Sequence, residues 1–202
     1  MQLVDQPVRS VREQIIDTLR AEVLAGAWTN DAPVREQALA ERFGVSRGPI
    51  RDALQQLSRE GVLIYRPNKG VRVNAPPSEA ERQLLQSMRR EMETFCLGQC
   101  INQLNDADDE QLESILSELT RACERGDHSA IADCDLALHR YLVRRASNEL
   151  EAVWQSITSR LLMDYSRIDR ADEIIAEHLA IVVAVKKRDF KASQKALHAN
   201  II

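Results

Sequence analysis

Apolar residues recur at helical spacing along most of this chain, and two short stretches alternate instead. In "VRSVREQIIDTLRAEVLAGAW", Val11, Ile15, Ile16, Leu19, Val23 and Leu24 mark one face of a helix, and Gly26 ends the run. A second, shorter helix over about 35–43 turns Ala38, Leu39 and Phe43 inward, with Gly44 as a left-handed cap. "GVSRGPIRDALQQLSREGVL" predicts a third. Ser46 is suited to the N-cap, and Pro49 falls in the first turn, where a missing N–H costs no helical bond. Ile50, Ala53, Leu54 and Leu57 repeat at i, i+3, i+4 and i+7 and pack inward, leaving Arg47, Arg51 and Gln55 along the outer edge. After Gly61, "VLIYR" and "GVRVN" read as short strands joined by the turn "PNKG", with Lys69 at its tip.

"NAPPSEAE" then breaks the pattern: two prolines halt regular structure, and Ser78 with Glu81 forms a capping box for a new helix. Beyond it every periodic segment is helical, over about 78–104, 108–125, 129–145, 149–165, 171–187 and from Phe190 onward, joined by short polar links such as "ERGDH" and "KRD". The chain is therefore mainly α: a winged helix-turn-helix over 1–75 and an antiparallel all-α bundle over 76–202. Its end at Ile202, four residues past His198, predicts a short last helix.

Composition agrees, since Gly (7) and Pro (6) are too scarce to interrupt long helices. No apolar run approaches the roughly 18 residues of a membrane span, and no charged segment with an apolar core opens the chain, so a cytoplasmic protein is expected. Cys96, Cys100, Cys123 and Cys134 lack metal-type spacing and read as small buried hydrophobes. Charge is uneven: +2 over residues 1–74 and −6 over 75–202, which permits a nucleic-acid-binding head on a different kind of tail.

The head carries chemistry that follows from its pattern. Small residues in "GVS" let two helices cross closely, and Arg at the start of the second can fork onto guanine or phosphate in a major groove. The segment "VREQALAERFGVSRGPIRDALQQLSREGVLIYRPNKGVRV" resembles the DNA-binding domain of the GntR family of bacterial transcription regulators, over nearly all of residues 8–74. That resemblance implies operator contacts by Arg35, Ser46, Arg47, Pro49 and Arg51, with Asn68, Lys69 and Gly70 as a wing in the minor groove. Arg47, Arg51 and Lys69 follow from the helix and turn pattern; Arg35 comes from the resemblance alone.

In the bundle, "DCDLALHRYLVRRASN" places Asp135 and His139 one turn apart on one helix face. His178 and His198 lie 20 residues apart across the reversal at "KRD", so three helices can aim one imidazole each at a shared point beside Asp135. One carboxylate and three imidazoles without sulfur suit zinc, nickel or manganese. Helix order and the landmarks "RREME", "EHLAIVVAVKKRDF" and "ALHAN" resemble the ligand-binding FCD domain of the FadR subfamily of GntR regulators. Members of that group commonly hold a divalent metal with an Asp and three His, and answer to small carboxylates. With four protein donors an octahedral ion keeps two positions open for a small organic acid, and Arg89 and Arg160 are the nearest anion partners, although each reads more readily as a bundle ion pair. Asn148 orients a ligand or water, or serves as a C-cap. The reading adopted takes a small carboxylate as the signal, with the metal itself as signal the alternative. A metal-dependent enzyme is disfavoured because no His-Glu-x-x-His arrangement supplies a base beside a metal-bound water. The family resemblance further implies a homodimer on a double-stranded DNA operator of inverted-repeat form, with the effector releasing a repressor from its DNA.

Overall fold

The structure, a computed structural model, describes residues 10–24, 26–163 and 171–201. Two compact units part between Pro76 and Pro77.

In the first unit, α1 (Val11–Leu24) starts at Ser10, whose hydroxyl accepts from the Glu13 N–H while the Glu13 carboxylate accepts from the Ser10 N–H. It buries Ile15, Ile16, Leu19 and Val23, whereas Val11 is 52% exposed, one turn too early to reach the core. The next helix, α2 (Glu36–Phe43), buries only Leu39; Ala38 is exposed and Phe43 half-buried, because eight residues give room for a single inward ridge. Gly44 ends it at φ 65°, a left-handed conformation that a side chain would strain. Four residues of α3 (Arg47–Arg59) are buried: Ile50, Ala53, Leu54 and Leu57. Ser46 takes the extended N-cap conformation, yet its hydroxyl makes no capping bond. Glu60 at the end of α3 is only 3% exposed and is held by Arg20 of α1 at 2.8 and 3.0 Å.

The wing pairs β1 (Leu63–Arg66) with β2 (Gly70–Val73) antiparallel, from Leu63↔Val73 to Arg66↔Gly70. Its turn closes through Lys69 N–H to the Arg66 carbonyl at 3.0 Å, with Asn68 and Gly70 both at positive φ. Val34 N–H bonds the Val71 carbonyl at 2.9 Å, tying the segment before α2 to the wing.

The second unit opens with α4 (Glu79–Cys100), whose Ser78–Glu81 capping box is complete. A short 3-10 turn, Ile101–Gln103, follows, so the expected continuous helix to Leu104 tightens in its last turn. Then come α5 (Asp106–Arg125), α6 (His128–Ala146), α7 (Asn148–Leu162), α8 (Ala171–Lys186) and α9 (Phe190–Asn200). The expected extension of the fourth bundle helix to Tyr165 lies outside the described residues, as do residues 8 and 9 of the head resemblance. At the centre, α6 packs against α4, α5, α7 and α8. The main core joins Leu97, Ile101, Leu112, Leu138, Leu142, Ile181, Val185 and Leu197. Cys96 and Cys100 are buried, Cys123 and Cys134 only partly, and all are free thiols. Among the described residues, no helix is long and apolar enough to cross a membrane.

Candidate functional site

Four polar residues lie in the middle of the bundle, where isolated charge is costly: Glu93 is 3% exposed, Asp135 2%, His139 0% and His178 0%. Helical spacing accounts for two placements, since Asp135 and His139 stack on the inner face of α6. One donor atom each from Asp135, His139 and His178 lie within 4.8 Å of one another. The two imidazoles meet edge to face, with centroids 5.5 Å apart and an interplanar angle of 87°.

The tautomers follow from the partners. His178 Nδ1 faces the Ile174 carbonyl at 2.8 Å, an acceptor only, so Nδ1 carries the proton. His139 Nδ1 lies 2.6 Å from Glu93 Oε2. Burial alone would raise the Glu93 pKa, but the interactions with His139 and Arg89, hydrogen bonds to both included, outweigh it and lower it to about 2. That carboxylate is therefore ionised, and His139 donates from Nδ1. The neutral His139 ring thus keeps an unprotonated Nε2, whereas His178 Nε2 faces two acceptors of Asp135, the side-chain Oδ1 and the backbone carbonyl, the latter at 3.2 Å. His178 Nε2 stands 2.9 Å from Asp135 Oδ1, a hydrogen-bond distance that needs a proton, or a metal cation in its place, between the two atoms. A proton can fill that role at His178, whose pKa rises because its bond to Asp135 overcomes the opposing desolvation. His139 differs: burial lowers its pKa against the pull of Glu93, and its Nε2 is buried with no hydrogen-bond partner among the described residues. A buried imidazole nitrogen with its lone pair exposed to a carboxylate and a second imidazole fits a borderline divalent cation.

Glu93 organises the wall of this site. Its Oε1 accepts from Trp154 Nε1–H at 2.7 Å and from Arg89 Nε–H at 2.8 Å. The Arg89 guanidinium also lies 5.9 Å from the Trp154 ring centre, and its Nη2 is buried without a hydrogen-bond partner among the described residues.

The remaining expected residues fall elsewhere. The structure does not bring His198 to the cluster: the residue is half-buried, and its Nε2 lies 2.8 Å from Thr94 Oγ1. The reason is helix phase. Ser193, Leu197 and Asn200 occupy the buried face of α9 at i, i+4 and i+7, and His198 is turned about 100° beyond Leu197. Asn200 takes the inward position and donates to Glu177 Oε2 at 2.9 Å. Arg160 is half-buried near the start of α4, where burial lowers its pKa against the Glu81 charge, and its Nη1 contacts Met163 Sδ at 2.9 Å. Asn148 is exposed in the first turn of α7; Ser147 ends α6 and caps α7 by accepting from Leu150 N–H at 3.3 Å.

On the head, Arg35, Ser46, Arg47, Arg51, Asn68 and Lys69 are exposed, and Pro49 and Gly70 are half-buried. Arg47 donates to Gln37 Oε1 at 3.1 Å, and Arg51 pairs with Glu36 at 3.3 Å. Sequence reasoning singled out neither Glu36 nor Gln37. Their signal was position: polar residues in the first turn of a helix whose neighbour carries exposed arginines. Glu93 closes the "RREME" landmark, four residues after Arg89, and Trp154 carries no local signal, because nothing local reports a partner 61 residues away.

Known proteins place this architecture. The pattern described as "Bacterial regulatory proteins, gntR family" matches residues 11–73, and that of the FCD domain matches residues 84–201. The chain belongs to the GntR family. It is a DNA-binding transcriptional regulator with an FCD domain, of a family whose members are regulators rather than enzymes. This GntR regulator is 26% identical over 198 residues to the HTH-type transcriptional repressor RspR of Escherichia coli K12, covering 95% of this chain and 86% of that protein. It is 26% identical to the gluconate operon transcriptional repressor of Bacillus licheniformis, over 90% of this chain and 78% of that protein. The solved structure of E. coli McbR/YncC superposes with a TM-score of 0.81 at 21% identity, over 96% of this chain and 94% of that one, which shows a shared fold.

Proposed function

We propose that this GntR regulator is a homodimeric repressor of an inverted-repeat operator, controlled by a small carboxylate bound at a divalent metal in its helical bundle. The observation that carries the reading is the buried, partnerless Nε2 of His139 facing Asp135 and His178. Asp135, His139 and His178 would hold the ion; zinc, nickel and manganese all suit two imidazoles and a carboxylate. When bound, the metal supplies a positive charge with coordination positions for water or an anion. The chain's own residues prepare that site. Glu93 and the Ile174 carbonyl hold each Nδ1–H, so both rings keep one orientation; His139 offers its Nε2 directly, and His178 does so once a metal replaces the proton shared with Asp135. Arg89 adds a second cation whose Nη2 has no partner, and a carboxylate would satisfy it.

Repression is supported by relatives that are themselves repressors. On the head, exposed Arg47 and Arg51 suit base and phosphate contacts in the major groove, and Asn68, Lys69 and Gly70 form a turn that suits the minor groove. Effector and DNA affinities are then linked reciprocally through the protein.

Elemental analysis of untagged protein, followed by melting with and without a panel of mono- and dicarboxylates, tests the proposal. Close to one metal per chain is expected. At least one acid should raise Tm of metal-loaded protein, do little after chelation, and shift operator affinity by about 1–3 kcal/mol. Failure to take up any of the three metals overturns the metal centre. Full switching of the DNA complex by metal alone makes the metal the signal.

A further inference from the structure

The proposed base reader Arg51 is held from the side by an acid on the neighbouring helix. Arg51 Nε lies 3.5 Å from Glu36 Oε1 and its Nη2 lies 3.3 Å from Glu36 Oε2, so the carboxylate spans one edge of the guanidinium. The Arg51 side chain is 60% exposed and that of Glu36 35%, so the acid is the more sheltered partner. A carboxylate on a face meant for phosphates is electrostatically unfavourable, and a helix-dipole role in the first turn of α2 gives it at most a modest local benefit. The pairing offers a stronger reason. With Nε and Nη2 engaged by Glu36, the Nη1/Nη2 end remains, and this end forks onto O6 and N7 of a guanine. An exposed ion pair of this kind contributes little to the free protein. It gains weight once DNA excludes water from it, and it removes rotamers that Arg51 would otherwise lose on binding.

We propose that Glu36 is a positioning residue for sequence selection: it directs Arg51 onto a base edge and away from the adjacent phosphates. The inference rests on the reading of Arg51 as a base-contacting residue. Its signature is a divergence between two affinities. Removing the Glu36 charge weakens choice among sequences while leaving general DNA binding unchanged or stronger, because one repulsion with phosphate also disappears.

The test uses the full-length protein. Wild type selects preferred duplexes from a random pool, and affinities for the selected site, its single-base variants and unrelated DNA are measured at one fixed salt for wild type, E36Q, R51A and the double variant. For E36Q, discrimination at one base position per half-site should fall by roughly tenfold, the size of one bidentate contact, without loss of affinity for unrelated DNA. In the R51A background, E36Q should leave base preference unchanged. A purely structural role for Glu36 would lower Tm and both affinities together with base preference intact, and that result overturns the proposal. Full base preference in R51A alone removes Arg51 as reader and the proposal with it. Normal wild-type selectivity lost in R51A but kept in E36Q overturns only the role of Glu36.

Discussion

Replacing Glu93 is the sharpest test of how the bundle tolerates its buried polar centre. This carboxylate, 3% exposed, accepts hydrogen bonds from three buried donors: His139 Nδ1 at 2.6 Å, Trp154 Nε1 at 2.7 Å and Arg89 Nε at 2.8 Å. In Glu93→Gln the amide oxygen can still accept, but its NH2 group faces a donor and the charge opposing Arg89 is gone. Removing one member of a buried ion pair costs about 3–5 kcal/mol, and a donor left without an acceptor about 1–3 kcal/mol. The surviving amide oxygen offsets part of this, so a loss of about 2–4 kcal/mol is expected for Gln and about 3–5 kcal/mol for Ala. Against a domain stability of about 5–15 kcal/mol, that lowers the bundle Tm by roughly 10–20 °C. Of the two tryptophans in the chain, Trp154 reports the bundle and Trp28 the head. Fluorescence-detected urea unfolding of chelator-treated protein in a Trp28→Phe background therefore follows the bundle alone. Adding Arg89→Met to Glu93→Gln should restore at least about 1 kcal/mol, since the uncompensated guanidinium leaves with it. In still-folded Glu93→Gln, metal affinity should drop about 10–100-fold by competition with a chromophoric chelator, because His139 loses its ionised partner. A variant within about 1 kcal/mol of wild type with unchanged metal affinity would refute the role assigned to Glu93.

Other expectations concern single contacts. His178→Ala should abolish metal uptake, while His198→Ala should retain most of it, because His198 engages Thr94 outside the cluster; equal loss in both would show that α9 re-phases when metal binds. Asp108 accepts from Tyr141 and Arg145, and these with the Asn105 N–H lower its pKa although burial opposes the shift. A carboxyl lowered in the folded state adds stability above its unfolded pKa of about 3.9 and loses it as pH falls through the folded value. Asp108→Asn should therefore cost about 1–2 kcal/mol at neutral pH and flatten the acid limb of the Tm-against-pH curve; an unchanged limb would count against this ion pair. On the head, Lys69→Ala should weaken binding to all DNA sequences alike in a salt-controlled gel shift, whereas a loss confined to one base position would make the wing a reader.

Local chemistry accounts for what the sequence determined unaided. Helix existence, the i, i+3, i+4, i+7 core face of α3, the Gly44 stop, the Ser78–Glu81 box and the wing turn at Asn68–Gly70 each depend on residues within a few positions of one another. The pairing of Asp135 with His139 was legible for the same reason, being one helical turn on α6. Tertiary packing decided the rest. Whether a residue on α9 faces inward depends on helix phase against α4 and α8, and a shift of one residue, about 100°, separates Leu197 in the core from His198 beside Thr94. Glu93, Trp154 and His139 come together from three helices across separations of 46 and 61 residues. No periodicity encodes such a meeting; it arises because buried donors and acceptors must find partners once the apolar faces have closed around them.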